Sequence, residues 1–246
     1  MTKYYTNLTA VLNIFKKPSK KSELISQMIF GESFLILKKN NLWLKIKTKE
    51  DNYIGYIHNK NYTMYLNPTH KIKVLKAKVY KFSNKKKKIN ELPFNSKIKA
   101  METKEKFLKF SGGWIHRDKL KPINYKDDDL FKRINFFRNI KYKWGGKSFL
   151  GIDCSALVQI CLNFNNRYCP RDTKDQIRYF KNNITLNKIR KNDIIYWKGH
   201  VAVATSRNML IHAYGPKKKT IKMNIKKTIE IIKKTTNLDV KSIKRI

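Results

Sequence analysis

The sequence predicts an α+β chain: two small β-modules followed by a domain with a central helix packed on an antiparallel sheet. Two observations carry this. Up to about residue 122 the chain is a succession of short β-like segments separated by polar turns. Beyond residue 123 the pattern changes to apolar helical stretches and then alternating strands. A length of 246 residues holds one large domain or two to three small ones, and 41% apolar content suffices for packed cores. The expected boundaries are 1–66, 67–123 and 124–246.

In the first module, Gln27-Met28-Ile29-Phe30-Gly31-Glu32 leads into Phe34-Leu35-Ile36-Leu37, and Lys39-Asn40-Asn41 makes a turn. Leu42 to Ile46 then alternates in period two, and a further turn precedes Tyr53-Ile54-Gly55-Tyr56-Ile57. Asn67-Pro68 reads as a linker. The second module repeats the theme through Ile72–Leu75, Ala77–Tyr80, Leu92–Ile98 and Phe107–Phe110. Gly113-Trp114-Ile115-His116 echoes Gly55-Tyr56-Ile57-His58, a repeat of about 60 residues that indicates tandem modules. A Gly-aromatic-aliphatic closing strand resembles that of bacterial SH3-like barrels.

In the third part, Asp127-Asp128-Asp129 before Leu130-Phe131-Lys132-Arg133-Ile134 predicts a helix N-terminus, where acids complement the dipole. Tyr142-Lys143-Trp144-Gly145-Gly146 breaks that helix. Ser155 to Leu162 is apolar almost all round, as a central helix must be. Pro170 to Gln176 opens another helix. Strands are expected at Asp193–Trp197, His200–Ala204 and Met209–Ala213, then a strand over 220–225, a helix over 226–234 and a last strand over 240–246.

Bulk charge excludes little. Lys+Arg 56 against Asp+Glu 17 gives +39. An anionic polymer partner would use such a surplus. Abundant Lys, Asn, Ile, Tyr and Phe with scarce Gly and Pro is also what an AT-rich genome writes, and the basic residues are spread along every segment. Codon bias is the preferred account, and no nucleic-acid partner is required. The runs Lys85–Lys88 and Lys217–Lys219 fall at turns and read as solvated tips. Cys154, Cys161 and Cys169 are odd in number and lack CxxC spacing, so a disulfide framework or zinc knuckle is not expected. No apolar signal region and no membrane span is read, so a cytoplasmic location is expected.

The chemistry centres on Cys154. A thiol with pKa near 8.5 is a poor nucleophile until a helix N-terminus and an imidazole raise its thiolate fraction. Cys154 begins the central helix. His200 and His212 lie symmetrically about Ser206, so a turn there makes them near cross-strand neighbours on one sheet face. One can act as general base and the other orient it. The Cys154 N–H is a natural oxyanion donor. Asp153 and Ser155 flank the thiol with polar groups, which sets Cys154 apart from Cys161, read as core, and Cys169, given no role. His58, His70 and His116 read as packed or surface residues. A zinc site from Cys154, His200 and His212 lacks a fourth ligand, so no metal or cofactor is expected.

Five motifs stand in order: Tyr-x-Trp-Gly-Gly (Tyr142 to Gly146), Gly-Ile-Asp-Cys-Ser (Gly151 to Ser155), Pro-Arg-Asp (Pro170 to Asp172), Gly-His-Val (Gly199 to Val201) and Ile-His-Ala (Ile211 to Ala213). From about residue 125 the chain resembles the NlpC/P60 family of papain-like cell-wall peptidases. With SH3-like modules in front, it is similar to the γ-D-glutamyl-L-diamino acid endopeptidase branch. The resemblance implies Cys154 as nucleophile, His200 as base and His212 as orienting residue. It implies that Tyr142 and Trp144 line the cleft and that Asp153 and Ser155 bind the substrate amine and neighbouring groups. Thr173 stands where relatives often carry a serine that contacts the substrate carboxylate. Relatives close the far end of the cleft with an acid and a tyrosine from the first SH3-like domain, which points to Glu32 and Tyr53, with Tyr56 in reserve. Ala156 departs from the family's usual glycine.

The implied reaction is hydrolysis of murein peptides after L-Ala-γ-D-Glu, with a free N-terminal amine, in recycling of wall fragments. Two other readings use the same residues differently. One is a non-catalytic SH3-like binder of anionic polymer with a degenerate hydrolase domain. The other is a thiol acyltransferase, although no lipid-docking amphipathic segment is evident.

Overall fold

Alternation of apolar and polar residues becomes strand structure throughout the first half of the chain. The computed structural model describes residues 3–246. One unit runs to Tyr125 and includes Lys147–Phe149; the second comprises Lys126–Gly146 and Leu150–Ile246.

In the first unit, β1 (Tyr4–Asn7), β2 (Val11–Phe15), β3 (Leu24–Ile29), β4 (Ser33–Lys39), β5 (Trp43–Thr48), β6 (Ile54–His58) and β7 (Tyr62–Met64) form one sheet, in the order β3-β2-β6-β5-β4-β1-β7. Its inner face carries Leu12, Ile14, Met28, Phe34, Leu44, Ile46 and Ile57, all buried. Within β2 and β5 the core side chains fall on alternate residues, as the pleat requires. The β4–β5 register slips between Ile36 and Lys38, a bulge that sharpens the local twist.

The following segment gives β8 (His70–Ile72), β9 (Lys76–Tyr80), β10 (Lys88–Pro93), β11 (Lys97–Ile98), β12 (Glu102–Lys104), β13 (Phe107–Phe110), β14 (Gly113–His116) and β15 (Leu120–Pro122). They form two sheets, β10-β9-β14-β13-β12 and β11-β8-β15. The predicted strands Ala77–Tyr80 and Phe107–Phe110 lie within or match β9 and β13. Phe30, from the turn after β3, packs into this second core with Ile72, Val79, Leu92, Ile98, Phe110 and Ile115. Gly31 makes that insertion possible. Its φ is +82°, and a Cβ there would lie 1.9 Å from the Lys97 carbonyl oxygen. The Lys97 N–H donates to the Phe30 carbonyl at 2.9 Å.

The short strand β16 (Lys147–Ser148) belongs to this first unit. The Lys147 ammonium is 2.6 Å from a Glu32 carboxylate oxygen, with both side chains about fully buried. The Ile29 N–H donates to the other oxygen at 2.9 Å.

The second unit holds β17 (Gly151–Ile152), α1 (Cys154–Phe164), α2 (Thr173–Tyr179), β18 (Ile194–Trp197), β19 (His200–Ala204), β20 (Met209–Tyr214), β21 (Lys219–Asn224), α3 (Ile225–Thr236) and β22 (Ser242–Lys244). The sheet order is β21-β20-β19-β18-β22, antiparallel throughout. Every α1 residue except Asn163 is buried, as its apolar composition predicts. Asn224 caps α3 by accepting from the Lys227 N–H, and Asn237 ends it in the left-handed region. Among the described residues, no helix is long and apolar enough to cross a membrane.

The helix expected from Leu130 is replaced by turns and a four-residue 3-10 segment at Ile134–Phe137. The acids that signalled it are used locally. Asp127 accepts from Arg133 Nε at 2.7 Å and Nη2 at 2.8 Å, and Asp129 accepts from the Phe131 N–H at 2.9 Å. Such bonds compete with the helical pattern.

Candidate active site

Cys154 is the first residue of α1, and Asp153 is its cap. The Asp153 backbone is extended (φ −97°, ψ 175°), and one carboxylate oxygen accepts from the Ala156 N–H at 2.9 Å. This places the thiol at the positive end of the helix dipole. Opposite it, the turn between β18 and β19 places Gly199 at φ +75°, a conformation glycine adopts freely. The Gly199 carbonyl oxygen lies 4.0 Å from Cys154 Sγ. The Val201 N–H is directed at the same sulfur. Both chain neighbours of His200 therefore face the thiol.

His200 Nε2 lies 2.9 Å from His212 Nδ1. The expected symmetry about Ser206 is off by two residues. β19 pairs with β20 through Val203 opposite Ile211 and Ala204 opposite Leu210. Continuing that register sets His212 against Ala202 and Tyr214 against His200. The histidines are diagonal neighbours rather than a facing pair, and a two-residue offset keeps them on the same sheet face. Ser206 sets this register, since its hydroxyl accepts from both the Asn208 and Met209 N–H groups. Tyr214 stacks on His212 with ring centroids 4.6 Å apart, and Trp197 lies 5.7 Å from His200.

Burial sets the charge state. Desolvation, and secondarily the Asp153 charge, push the Cys154 thiol up to about 12. Desolvation lowers His200 to about 4, and desolvation with the neighbouring His200 lowers His212 to about 2. Burial thus favours the neutral forms of the thiol and of both imidazoles.

Asp153, expected as amine reader, is engaged within the fold. It is 4% exposed, and its carboxylate is taken by the Gly145 and Ala156 N–H groups and by the Arg171 guanidinium through both terminal nitrogens. Arg171 Nη1 also donates to the Ser155 hydroxyl at 2.9 Å, so Ser155 is likewise turned inward. Arg171 is the residue that sequence reasoning missed. It sits in the Pro-Arg-Asp motif, and its signal was the motif alone.

Glu32 is 1% exposed, with one carboxylate oxygen on the Lys147 ammonium and the other accepting from the Ile29 N–H. Tyr53 and Tyr56 are half-buried in the first unit, and the Tyr53 N–H donates to the Thr48 hydroxyl at 2.8 Å. Trp144 is 59% exposed. Tyr142 is partly buried, and desolvation together with the charges of Cys154 and Asp153 raises its phenol, keeping it an O–H donor beside the thiol. Thr173 starts α2 and is half-buried. Cys161 and Cys169 are buried. Of the remaining histidines, His58 packs on Trp43 at 4.2 Å and His116 bonds Asp118 at 2.5 Å. His70 bonds the Thr69 hydroxyl at 2.8 Å. Among the described residues, no group of three or more His, Cys, Asp or Glu is arranged to hold a metal.

Comparison with known proteins gives two family matches. Residues 139–237 match the NlpC/P60 family, and residues 14–61 match the bacterial dipeptidyl-peptidase Sh3 domain. Dipeptidyl-peptidase 6 of Lysinibacillus sphaericus is 36% identical over 72 residues, which is 29% of this chain and 27% of that protein. The γ-D-glutamyl-L-lysine dipeptidyl-peptidase of Bacillus subtilis is 22% identical over 214 residues, covering 76% of this chain and 71% of that one. The chain thus spans about a quarter of the first relative's length and about 70% of the second's. Among solved structures, an NlpC/P60 family protein from Bacillus cereus has a TM-score of 0.82 at 16% identity, covering 98% of this chain and 99% of that one. An NlpC/P60 endopeptidase from Photobacterium damselae has a TM-score of 0.68 at 12% identity, covering 97% and 70%. These structural likenesses show the fold.

Proposed function

We propose that this chain, with an NlpC/P60 domain behind a bacterial dipeptidyl-peptidase SH3 domain and relatives named γ-D-glutamyl-L-lysine dipeptidyl-peptidase, is a cysteine peptidase that hydrolyses the γ-D-glutamyl-diamino acid bond of murein peptides with a free N-terminal L-Ala. The observation that carries the chemistry is a cysteine at the first turn of a buried helix, faced by both neighbours of a histidine that is bonded to a second histidine.

The steps follow from the side chains. His200 takes the thiol proton as Cys154 sulfur attacks the γ-glutamyl carbonyl carbon. The Cys154 N–H, at the helix start, stabilises the developing oxyanion. Collapse breaks the C–N bond, and His200 returns the proton to the departing amine. Water, deprotonated by His200, then hydrolyses the thioester. Tyr142 and Trp144 form the wall of the cleft, and Thr173 supplies a hydroxyl for the substrate carboxylate.

The free-amine requirement rests on the dipeptidyl-peptidase names of the relatives. Such a requirement confines the enzyme to peptides already released from glycan, consistent with recycling. The test compares L-Ala-γ-D-Glu-diaminopimelate with its N-acetylated form. Cleavage of the free peptide only is expected, and equal cleavage of both overturns the amine claim. Cys154→Ala should lower kcat at least about a thousandfold, and activity that survives it overturns the mechanism.

A further inference from the structure

His212 has no solvent contact, and each ring nitrogen meets one partner. Nδ1 lies 2.9 Å from His200 Nε2, and Nε2 lies 3.4 Å from the thioether sulfur of Met223. Met223 is on β21, which pairs with β20 through Leu210 opposite Met223 and His212 opposite Ile221. It is therefore the diagonal neighbour of His212 on the same sheet face.

A thioether has lone pairs and no proton. The contact is a hydrogen bond only if His212 Nε2 carries the hydrogen. His212 is neutral in its buried setting, so a hydrogen on Nε2 leaves Nδ1 bare. A bare Nδ1 can only accept, and His200 Nε2 must then donate to it. A neutral His200 with its hydrogen on Nε2 presents a bare Nδ1, the form a base needs to take the Cys154 proton. The reverse arrangement sets a bare Nε2 against the sulfur, lone pair to lone pair, and leaves His200 with its hydrogen on Nδ1, unable to act as base.

We infer that Met223 is a positioning residue whose thioether, by accepting from His212 Nε2, fixes the tautomers of His212 and His200 and so keeps His200 Nδ1 free for the thiol. This rests on the assignment of Cys154, His200 and His212 made under the proposed function. The sulfur touches no reacting atom and acts through two imidazoles.

The experiment reads tautomers directly, by two-bond proton–nitrogen correlation in protein labelled with ¹⁵N-histidine at pH 7. Both histidines should show the Nε2–H pattern. Met223→Leu keeps the volume and removes the acceptor. His212 should then move to a mixture of tautomers, with kcat lower by about fivefold, the worth of one weak hydrogen bond, and KM unchanged. Met223→Gln offers a carbonyl oxygen instead and should restore the tautomer and most of the rate. A wild-type His212 with its hydrogen on Nδ1, or a leucine variant with unchanged tautomers, overturns the inference. The spectrum needs no substrate, so it decides the role of Met223 even where the peptide assay contradicts the proposed reaction. If the leucine variant does not fold, the wild-type spectrum and the glutamine variant carry the test.

Discussion

A single guanidinium holds the acid beside Cys154. Arg171 and Asp153 are both nearly fully buried, and their pairing is bidentate. Removing one partner of such a pair leaves an uncompensated buried charge, costing about 3–5 kcal/mol. Arg171 also pulls the Cys154 thiol down against the upward push of Asp153. Arg171→Ala should therefore lower the melting temperature and slow alkylation of Cys154 by iodoacetamide at a fixed pH near neutrality. Arg171→Lys keeps the charge, loses the fork and should fall between. An alanine variant with unchanged melting and unchanged alkylation would refute this. The placement of Cys154 at a helix start and of His200 and His212 on adjoining strands was legible from apolar runs and alternation. The pairing of Arg171 was not, because the Pro-Arg-Asp motif gives the residue but not the acid it meets in the fold. The burial of Glu32 was hidden for the same reason, its partner Lys147 being distant in sequence.

At the level of elements, the β19–β20 pair holds two imidazoles in a setting that favours their neutral forms. The sign of the pH effect follows. Both folded-state values lie below the unfolded value near 6.5, so between about pH 6.5 and 4 the unfolded chain binds more protons than the folded one. Stability from these groups is full above about pH 6.5 and is lost as pH falls toward 4 and below. Thermal melts followed by histidine-region NMR should show the second unit weakening over that window. His212→Gln, which cannot charge, should flatten the slope, and an equally steep fall in that variant would assign the loss to other groups. Period-two alternation made the shared face of the two histidines legible. The register was not legible, because the Ser206 hydroxyl bonds that set the turn leave no trace in hydrophobic pattern. The absent helix at Leu130 has the same origin: Asp127 and Asp129 spend their oxygens on side-chain and turn contacts.

Over the whole chain, turn spacing suggests separate β-modules but cannot show a core residue passed from one to the other. Phe30 looks like the end of an early strand in the sequence, yet its ring belongs to the second β-module's core, edge-on to Phe110 at 5.5 Å. Gly31 and the Phe30–Lys97 backbone bond fix it there. The two β-modules of the first unit should therefore unfold together. Truncating a buried phenylalanine costs about 3–5 kcal/mol through lost transfer energy and the cavity left behind. Phe30→Ala in the intact chain should lower the midpoint of denaturant unfolding for both modules by the same amount, read by the Trp43 and Trp114 environments, one in each. Gly31→Ala should do likewise, since its Cβ meets backbone at 1.9 Å and its φ is left-handed. If Phe30→Ala shifted only the Trp114 transition and left that of Trp43 in place, the modules would be energetically separate, and the shared core would be a contact without cooperative consequence.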